Sequence, residues 1–362
     1  MGCSGLAQAT GQPILRFMMT SLPYYLSERV SLAPYTTLQL GGPARYFATC
    51  STVEMLQGAL EWADHMNHRV HILGGGSNVV FPDRGFEGLV LKMDLRGVQF
   101  DAQTARVGAG ENWDHFVVQC IERGLAGVEC LSGIPGQVGA TPIQNVGAYG
   151  QEVCETVTSV RAIDRASRKE VEFTRAECDF SYRHSRFKGA DADCFIITEV
   201  RYALREDGCP HLRYTELKQA VKEQQAAGPE ALNTVRSTVL SLRTSKSMVI
   251  APNDPNSRSA GSFFINPVLS SEQFNRLQKQ FKDVPSFPDS SGVKVPAAWL
   301  VERAGFAKGY RRDGVGVSQR HALALVNYDG STDQLLKLAA DIQNAVEAQF
   351  AIHLQREPVV VP

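Results

Sequence analysis

Three consecutive glycines, Gly74-Gly75-Gly76, follow the apolar run Val70-His71-Ile72-Leu73 and precede Ser77-Asn78-Val79-Val80. The apolar run reads as a buried strand, and the residues after the glycines are strand-like as well. A Rossmann dinucleotide fold needs its GxGxxG turn to open a helix, and this turn does not. Successive glycines let backbone amides converge on an anion with no side chain in the way, and a pyrophosphate is the natural guest. That argues for loop-based pyrophosphate binding on a fold other than the Rossmann fold. Taken alone, a glycine triplet is more often a simple turn.

A second segment runs from Ser132 to Gly150 and interleaves five glycines and two prolines with Gln137, Thr141, Gln144 and Asn145. A loop this long in a compact domain usually binds something, and this one offers backbone amides and amide side chains for hydrogen bonds. Ala260-Gly261-Ser262-Phe263-Phe264-Ile265-Asn266-Pro267 sets a lone hydroxyl between a glycine and two aromatics, so Ser262 is a candidate shielded proton donor. Tyr182-Arg183-His184-Ser185-Arg186-Phe187-Lys188 is a basic loop whose Arg183 suits a carboxylate, because guanidinium is planar and always charged. Glu357, by itself, reads as an exposed terminal glutamate.

Around these segments the pattern is α+β, with strands outnumbering helices. Ser51 and Glu54 read as a capping box opening a helix through Val53, Leu56, Leu60 and Ala63. A second helix carries Trp113, Phe116, Val117, Cys120 and Ile121 and stops at Gly124. Leu89–Leu91, Ser159–Ile163, Glu170–Phe173 and Phe195–Leu204 read as strands. Val235–Arg243 reads as a helix leading to Lys246. The last helix starts at Ser331 or Thr332 and lines up Leu335, Leu338, Ala339, Ile342, Val346 and Phe350. Gly41-Gly42-Pro43 reads as a break. Residues 1–20 read as a disordered extension, residues 21–245 as one domain in two subdomains (21–95 and 96–245), and residues 246–362 as a smaller second domain.

Lys plus Arg number 37 against 38 for Asp plus Glu, so no overall field favours nucleic acid or an anionic membrane. The eight cysteines form no CxxC pair, which argues against zinc ribbons and thioredoxin chemistry and for a reducing compartment. His65, His68 and His71 cannot share one face, and no metal site is expected.

The glycine triplet, the Ser132–Gly150 loop, Phe180-Ser181-Tyr182-Arg183, the Ser262 segment and Arg356-Glu357-Pro358 together resemble the UDP-N-acetylenolpyruvoylglucosamine reductase family of bacterial cell-wall synthesis. The resemblance runs from about Thr37 to the C-terminus. It implies an FAD-binding domain of the vanillyl-alcohol-oxidase/PCMH type, made of two α+β subdomains, with a smaller α+β substrate domain. It implies non-covalent FAD, NADPH as hydride donor, and reduction of an enolpyruvyl ether on a UDP-sugar. Gly74, Gly75, Gly76, Ser77 and Asn78 would hold the pyrophosphate. Ser132, Gly133, Ile134, Pro135, Gly136, Gly139, Ala140 and Thr141 would line the cofactor, with Gln144, Asn145, Gly147 and Tyr149 close by.

By the same resemblance, Ser262 matches the proton donor, Arg183 the catalytic arginine and Glu357 the glutamate that assists the enolate. Tyr182, Lys246 and Asn266 match substrate contacts, and Tyr214 matches the tyrosine loop of one of the family's two classes. Ser318-Gln319-Arg320-His321-Ala322 looks like a family segment near the substrate. Ile265 departs from the basic residue many relatives carry. The expected location is the cytoplasm, where UDP-sugar and NADPH reside, and the expected assembly is a monomer or weak dimer with no membrane or nucleic-acid partner. Two other classes stay open: a covalent flavin oxidase, and a module that binds a nucleotide without catalysis.

Overall fold

Pro43–Cys50 is the centre of the first sheet, whose strand order is Ser27–Ser31, Pro43–Cys50, Phe86–Met93, Arg69–Leu73. The outermost Ser27–Ser31 pair is antiparallel and the other two are parallel. The proline read as a break is in fact the first residue of that strand, a position where its missing N–H costs no ladder bond. The helix Val53–His65 buries Leu56, Ala59, Leu60, Trp62 and Ala63. Its cap is Thr52, not the expected Ser51: Thr52 accepts a hydrogen bond from Met55 N at 3.2 Å. Thr52 keeps extended backbone angles, and the residue with that geometry is the one able to cap. The computed structural model describes residues 22–221, 227–289 and 291–362, and the extension expected over residues 1–20 lies outside them.

The second sheet is wholly antiparallel, in the order Glu170–Thr174, Val157–Asp164, Phe195–Ala203, Thr104–Gly108, Val98–Asp101. The helix Trp113–Glu122 packs Trp113, Phe116, Val117, Cys120 and Ile121 into a core with Val160, Val200 and Tyr202. Gly124 follows with φ near 70°, as expected of a helix stop. The helix expected over Val235–Arg243 runs from Pro229 to Ser245. The polar residues at its start hid it, but Pro229 is preset for a first helical turn.

The C-terminal part holds a four-stranded sheet, Ser259–Ser262, Ala324–Asn327, Val315–Val317, Arg311–Arg312, and a three-stranded one. The last helix, Thr332–Phe350, buries the six apolar residues that the sequence aligns, and Ser331 caps it in a box with Gln334. The main C-terminal core also takes in Leu38, Leu40 and Val80 from the N-terminal part of the chain.

Three stitches bind these parts. Val359–Val360 pairs in parallel with Val79–Val80, the short strand just after the glycine triplet. Phe264 bridges Arg356, and Glu357 N donates to Phe263 O at 2.9 Å. The Asp83 carboxylate accepts from the amides of Thr332 and Asp333, each at 2.9 Å, so a loop of the first sheet caps the last helix as an anion at its positive end. Asp83→Ala should lower unfolding free energy by about 1–2 kcal/mol in a denaturant titration. An unchanged midpoint would mean that Ser331 alone suffices as the cap.

Candidate active site

The two glycine-rich loops meet backbone to backbone. A Cβ on Gly75 would lie 2.6 Å from Gly136 Cα, so no larger residue fits unless the loops part. Gly76 has φ of 67°, and a Cβ there would lie 1.8 Å from Tyr35 O. Ser77 Oγ donates to Pro135 O at 3.0 Å and fixes the same junction. A cavity of about 500 Å³ opens here, lined by Gly75, Gly110, Pro135 and Gly136 together with Lys92 and Arg96. The amides of Gly75, Gly76, Ser77 and Asn78 donate to no protein acceptor among the described residues. Gln137 gives both amide protons to Met93 O and Gly110 O, while its buried Oε1 has no partner among the described residues. A cavity lined by glycines and flanked by two cations, beside a turn whose amides have no partner among the described residues, suits a pyrophosphate.

Of the remaining residues expected to bind the cofactor, Gly133 and Ile134 line the cavity, and the others lie outside its lining. Ile134 lines the cavity, and Gly133 N donates to Asp114, which Arg236 grips through two bonds of 2.6 and 2.7 Å. Ser132 is buried with its hydroxyl on Glu129 O. Gly139 packs on Ala109, and Thr141 is buried with its hydroxyl on Val138 O and near Tyr202 OH. Ala140, between them, is exposed. Asn145 is fully buried and uses its amide on Glu152, Ser181 O and Cys154 N, so its side chain braces the loop. Tyr149 meets Tyr214 edge-on at 5.5 Å, and burial raises its hydroxyl pKa.

Arg183 and Glu357, far apart in sequence, are joined by the C-terminal strand. Arg183 Nε stands 3.4 Å from Glu357 Oε1, and Arg183 Nη2 donates to Gly147 O at 2.7 Å. Arg183 sits at the tip of a turn closed by mutual bonds of Ser181 and His184, with φ near 55°, a strained conformation held by its surroundings. Gln144 accepts from Asn78 at 2.9 Å and donates to Glu357 Oε1 at 3.3 Å, which links the glycine loop to the carboxylate. Burial raises the Glu357 pKa, and Arg183, Lys188 and the Gln144 bond only partly oppose this. A single off-axis guanidinium contact does not repay the desolvation.

Ser262 ends its strand, and its Oγ lies 3.3 Å from His321 Nε2. Asn266 Nδ2 reaches Tyr182 OH at 3.4 Å, and the Tyr182 ring carries Lys294 over one face at 4.3 Å and Arg183 at 5.2 Å. Lys246 pairs with Glu216 at 3.2 Å, two residues beyond the half-exposed Tyr214. Ile265 uses its backbone N–H on Gln355 O. The sequence reading passed over four residues here: Lys92 and Arg96 at the cavity, Lys188 beside Glu357, and His321 beside Ser262. His321 stood in a segment already singled out, but nothing local to it points to Ser262. Lys188 likewise stands in the Tyr182–Lys188 segment, but nothing local points it to Glu357; Lys92 and Arg96 reach the cavity only through residues from distant chain.

Residues 253–361 match the family model of the C-terminal domain of UDP-N-acetylenolpyruvoylglucosamine reductase, and residues 44–173 match that of an FAD binding domain. The chain is 44% identical over 350 residues to the UDP-N-acetylenolpyruvoylglucosamine reductase of Thermobifida fusca, covering 92% of this chain and 98% of that relative. It belongs to the UDP-N-acetylenolpyruvoylglucosamine reductase family. The Streptomyces coelicolor reductase is likewise 44% identical, over 91% of this chain and 88% of its own length. The solved MurB reductase of Thermus caldophilus aligns with a TM-score of 0.65 at 25% identity, across 92% of this chain and 98% of that one. The α+β architecture is thus an FAD-binding domain with the family's C-terminal domain.

FAD fits the reductase's two loops. The unpaired amides and flanking cations suit its diphosphate, and the Gly75–Gly136 contact leaves its cavity open. Gly75→Ala should part the loops and yield protein that no longer retains FAD, read from the absorbance of the purified protein. Full flavin content in that variant would place the cofactor elsewhere.

Proposed function

We propose that Ser262, Arg183 and Glu357 carry the protonation half of the family reaction, while Tyr182, Tyr214, Lys246 and Asn266 hold the substrate. That reaction reduces enolpyruvyl-UDP-N-acetylglucosamine to UDP-N-acetylmuramate in peptidoglycan synthesis. Gly74–Asn78 and the Ser132–Tyr149 loop would hold FAD, which when bound would supply the hydride chemistry between NADPH and the β carbon of the enolpyruvyl group. The observation that supports the roles is the meeting of Arg183 and Glu357 beside the strand pairing that carries Ser262.

Negative charge gathers on the carbon next to the reduced one and on its carboxylate. Arg183 offers that carboxylate a fixed cation. Glu357, whose pKa burial raises, can keep a proton and donate a hydrogen bond to the enolate rather than repel it. Ser262 then protonates the carbon: its O–H bond breaks as the C–H bond forms, and the oxygen keeps the electron pair until solvent returns a proton. A serine hydroxyl is a weak acid, but the developing carbanion is a far stronger base than a carboxylate.

The domain division at residue 245 is part of this reading. It falls at the end of the Pro229–Ser245 helix. So are the tyrosine-loop class, supported by Tyr214 against Tyr149, and the monomer or weak dimer. A cytoplasmic location follows from where UDP-sugars and NADPH reside.

Ser262→Ala should keep bound FAD and its bleaching by NADPH, yet lose turnover by about 10²–10⁴-fold. Turnover like the wild type's would sink the proton-donor role. For Glu357, the raised pKa sets a sign. The folded state holds this proton more tightly than the unfolded one, so its carboxyl costs stability as pH rises from the ordinary carboxylate value toward the folded one. Glu357→Gln should slow flavin reoxidation by substrate. It should also melt at or above the wild-type temperature at pH 8, with the gap closing near pH 4. A variant markedly less stable at pH 8 would mean that the Arg183 ion pair outweighs burial.

A further inference from the structure

Ser262 and His321 are brought together by strand pairing. Ser262 opposes Ala324 across the sheet, and Phe263 N donates to Leu323 O at 2.8 Å. The turn entering that second strand delivers His321, with Ala324 N bonded to His321 O at 3.1 Å. The turn itself is pinned. Buried Asn256 accepts from Gln319 N at 3.0 Å, and Ser318 Oγ accepts from Arg320 N at 3.2 Å. A hydroxyl at a strand end thus faces an imidazole on a braced turn, 3.3 Å away.

The surroundings decide what the imidazole can do. Burial first, then the charges of Lys246, Arg243 and Lys308, hold its pKa down to about 4. At neutral pH the ring is uncharged and carries one N–H. On Nδ1, that hydrogen would leave Nε2 as an acceptor, and the serine proton would turn toward the ring. On Nε2, it donates to the serine oxygen. The hydroxyl proton then remains available to the substrate, and the charge growing on oxygen meets a donor. A neutral imidazole held as a hydrogen-bond donor by a depressed pKa is an established way to stabilise developing oxyanions.

We infer that His321 is a positioning residue for the proton donor: its Nε2–H donates to Ser262 Oγ and directs the serine's own proton at the substrate carbon. The inference rests on the proton-donor role of Ser262. It goes beyond the family assignment in giving the serine a partner that acts only through it.

The test is a double-mutant cycle on the flavin-loaded enzyme, with NADPH bleaching and recolouring by UDP-N-acetylglucosamine enolpyruvate timed separately. His321→Ala should slow recolouring by about 10–100-fold and leave bleaching within about twofold. Added to Ser262→Ala, it should cost nothing more, because the two residues act as a unit. A full additional loss in that background, equal slowing of both half-reactions, or recolouring at the wild-type rate would each overturn the inference. If His321→Ala does not fold, His321→Gln and His321→Glu decide. The glutamine can donate to Ser262 and should stay within about tenfold of wild type, whereas a glutamate that only accepts should not. Equal rates for the two would overturn the inference. If Ser262→Ala itself turns over normally, it is the reading of Ser262 that fails, and this inference falls with it.

Discussion

The site depends on a two-residue strand pair. Val359–Val360 beside Val79–Val80 ties the last residues of the chain to the strand that leaves the glycine triplet. Val359 N bonds Asn78 O at 3.0 Å, and Glu357 N bonds Phe263 O at 2.9 Å. One extended segment thereby touches the glycine loop on one side and the serine strand on the other, with Glu357 between them. Bonds this few hold because large cores lie around them: Val361 is buried with Phe81 and Val90, and Leu354 with Phe263 and Leu325. Thr37 adds a second link, taking Gly76 O through its amide and Ser259 O through its hydroxyl.

The glycine loop, Gln144, Glu357 and Arg183 form one polar network. Asn78 leads to Gln144, Gln144 to Glu357, and Glu357 to Arg183, whose guanidinium returns to Gly147 in the second glycine-rich loop. Such a chain is strong when every member is satisfied and costly when one is missing. It also explains the raised pKa of Glu357. The carboxyl is taken out of water for the sake of position, and its partners only partly compensate.

Regular elements were legible where apolar spacing was strong. The last helix, with Leu335 through Phe350 on one face, and the Trp113 helix needed only their periodicity. Elements whose ends depend on backbone angle were not. Thr52 and Ser51 are equally able to cap, and which one does is decided by where the chain turns helical. Pro43 reads as a breaker because sequence does not show that it stands first in its strand. Within the site, the glycine contacts were foreseeable as a type, since only glycine permits such approach. The Gln144 bridge and the Ser262–His321 pair were not, because each joins residues from different segments.

The sequence by itself determined the kinds of group present: a glycine turn that does not follow the Rossmann pattern, a serine between a glycine and two aromatics, and an arginine in a basic loop. It did so because glycine, serine and arginine carry their constraints in their own covalent structure. Only the tertiary structure decided how these groups act. It turned a terminal glutamate into a buried carboxyl whose pKa is raised and a loop histidine into a neutral partner of the serine. Desolvation drives both outcomes, opposed at Glu357 by the charges of Arg183 and Lys188 and reinforced at His321 by those of Lys246, Arg243 and Lys308, and these surroundings exist only once the chain has closed on itself.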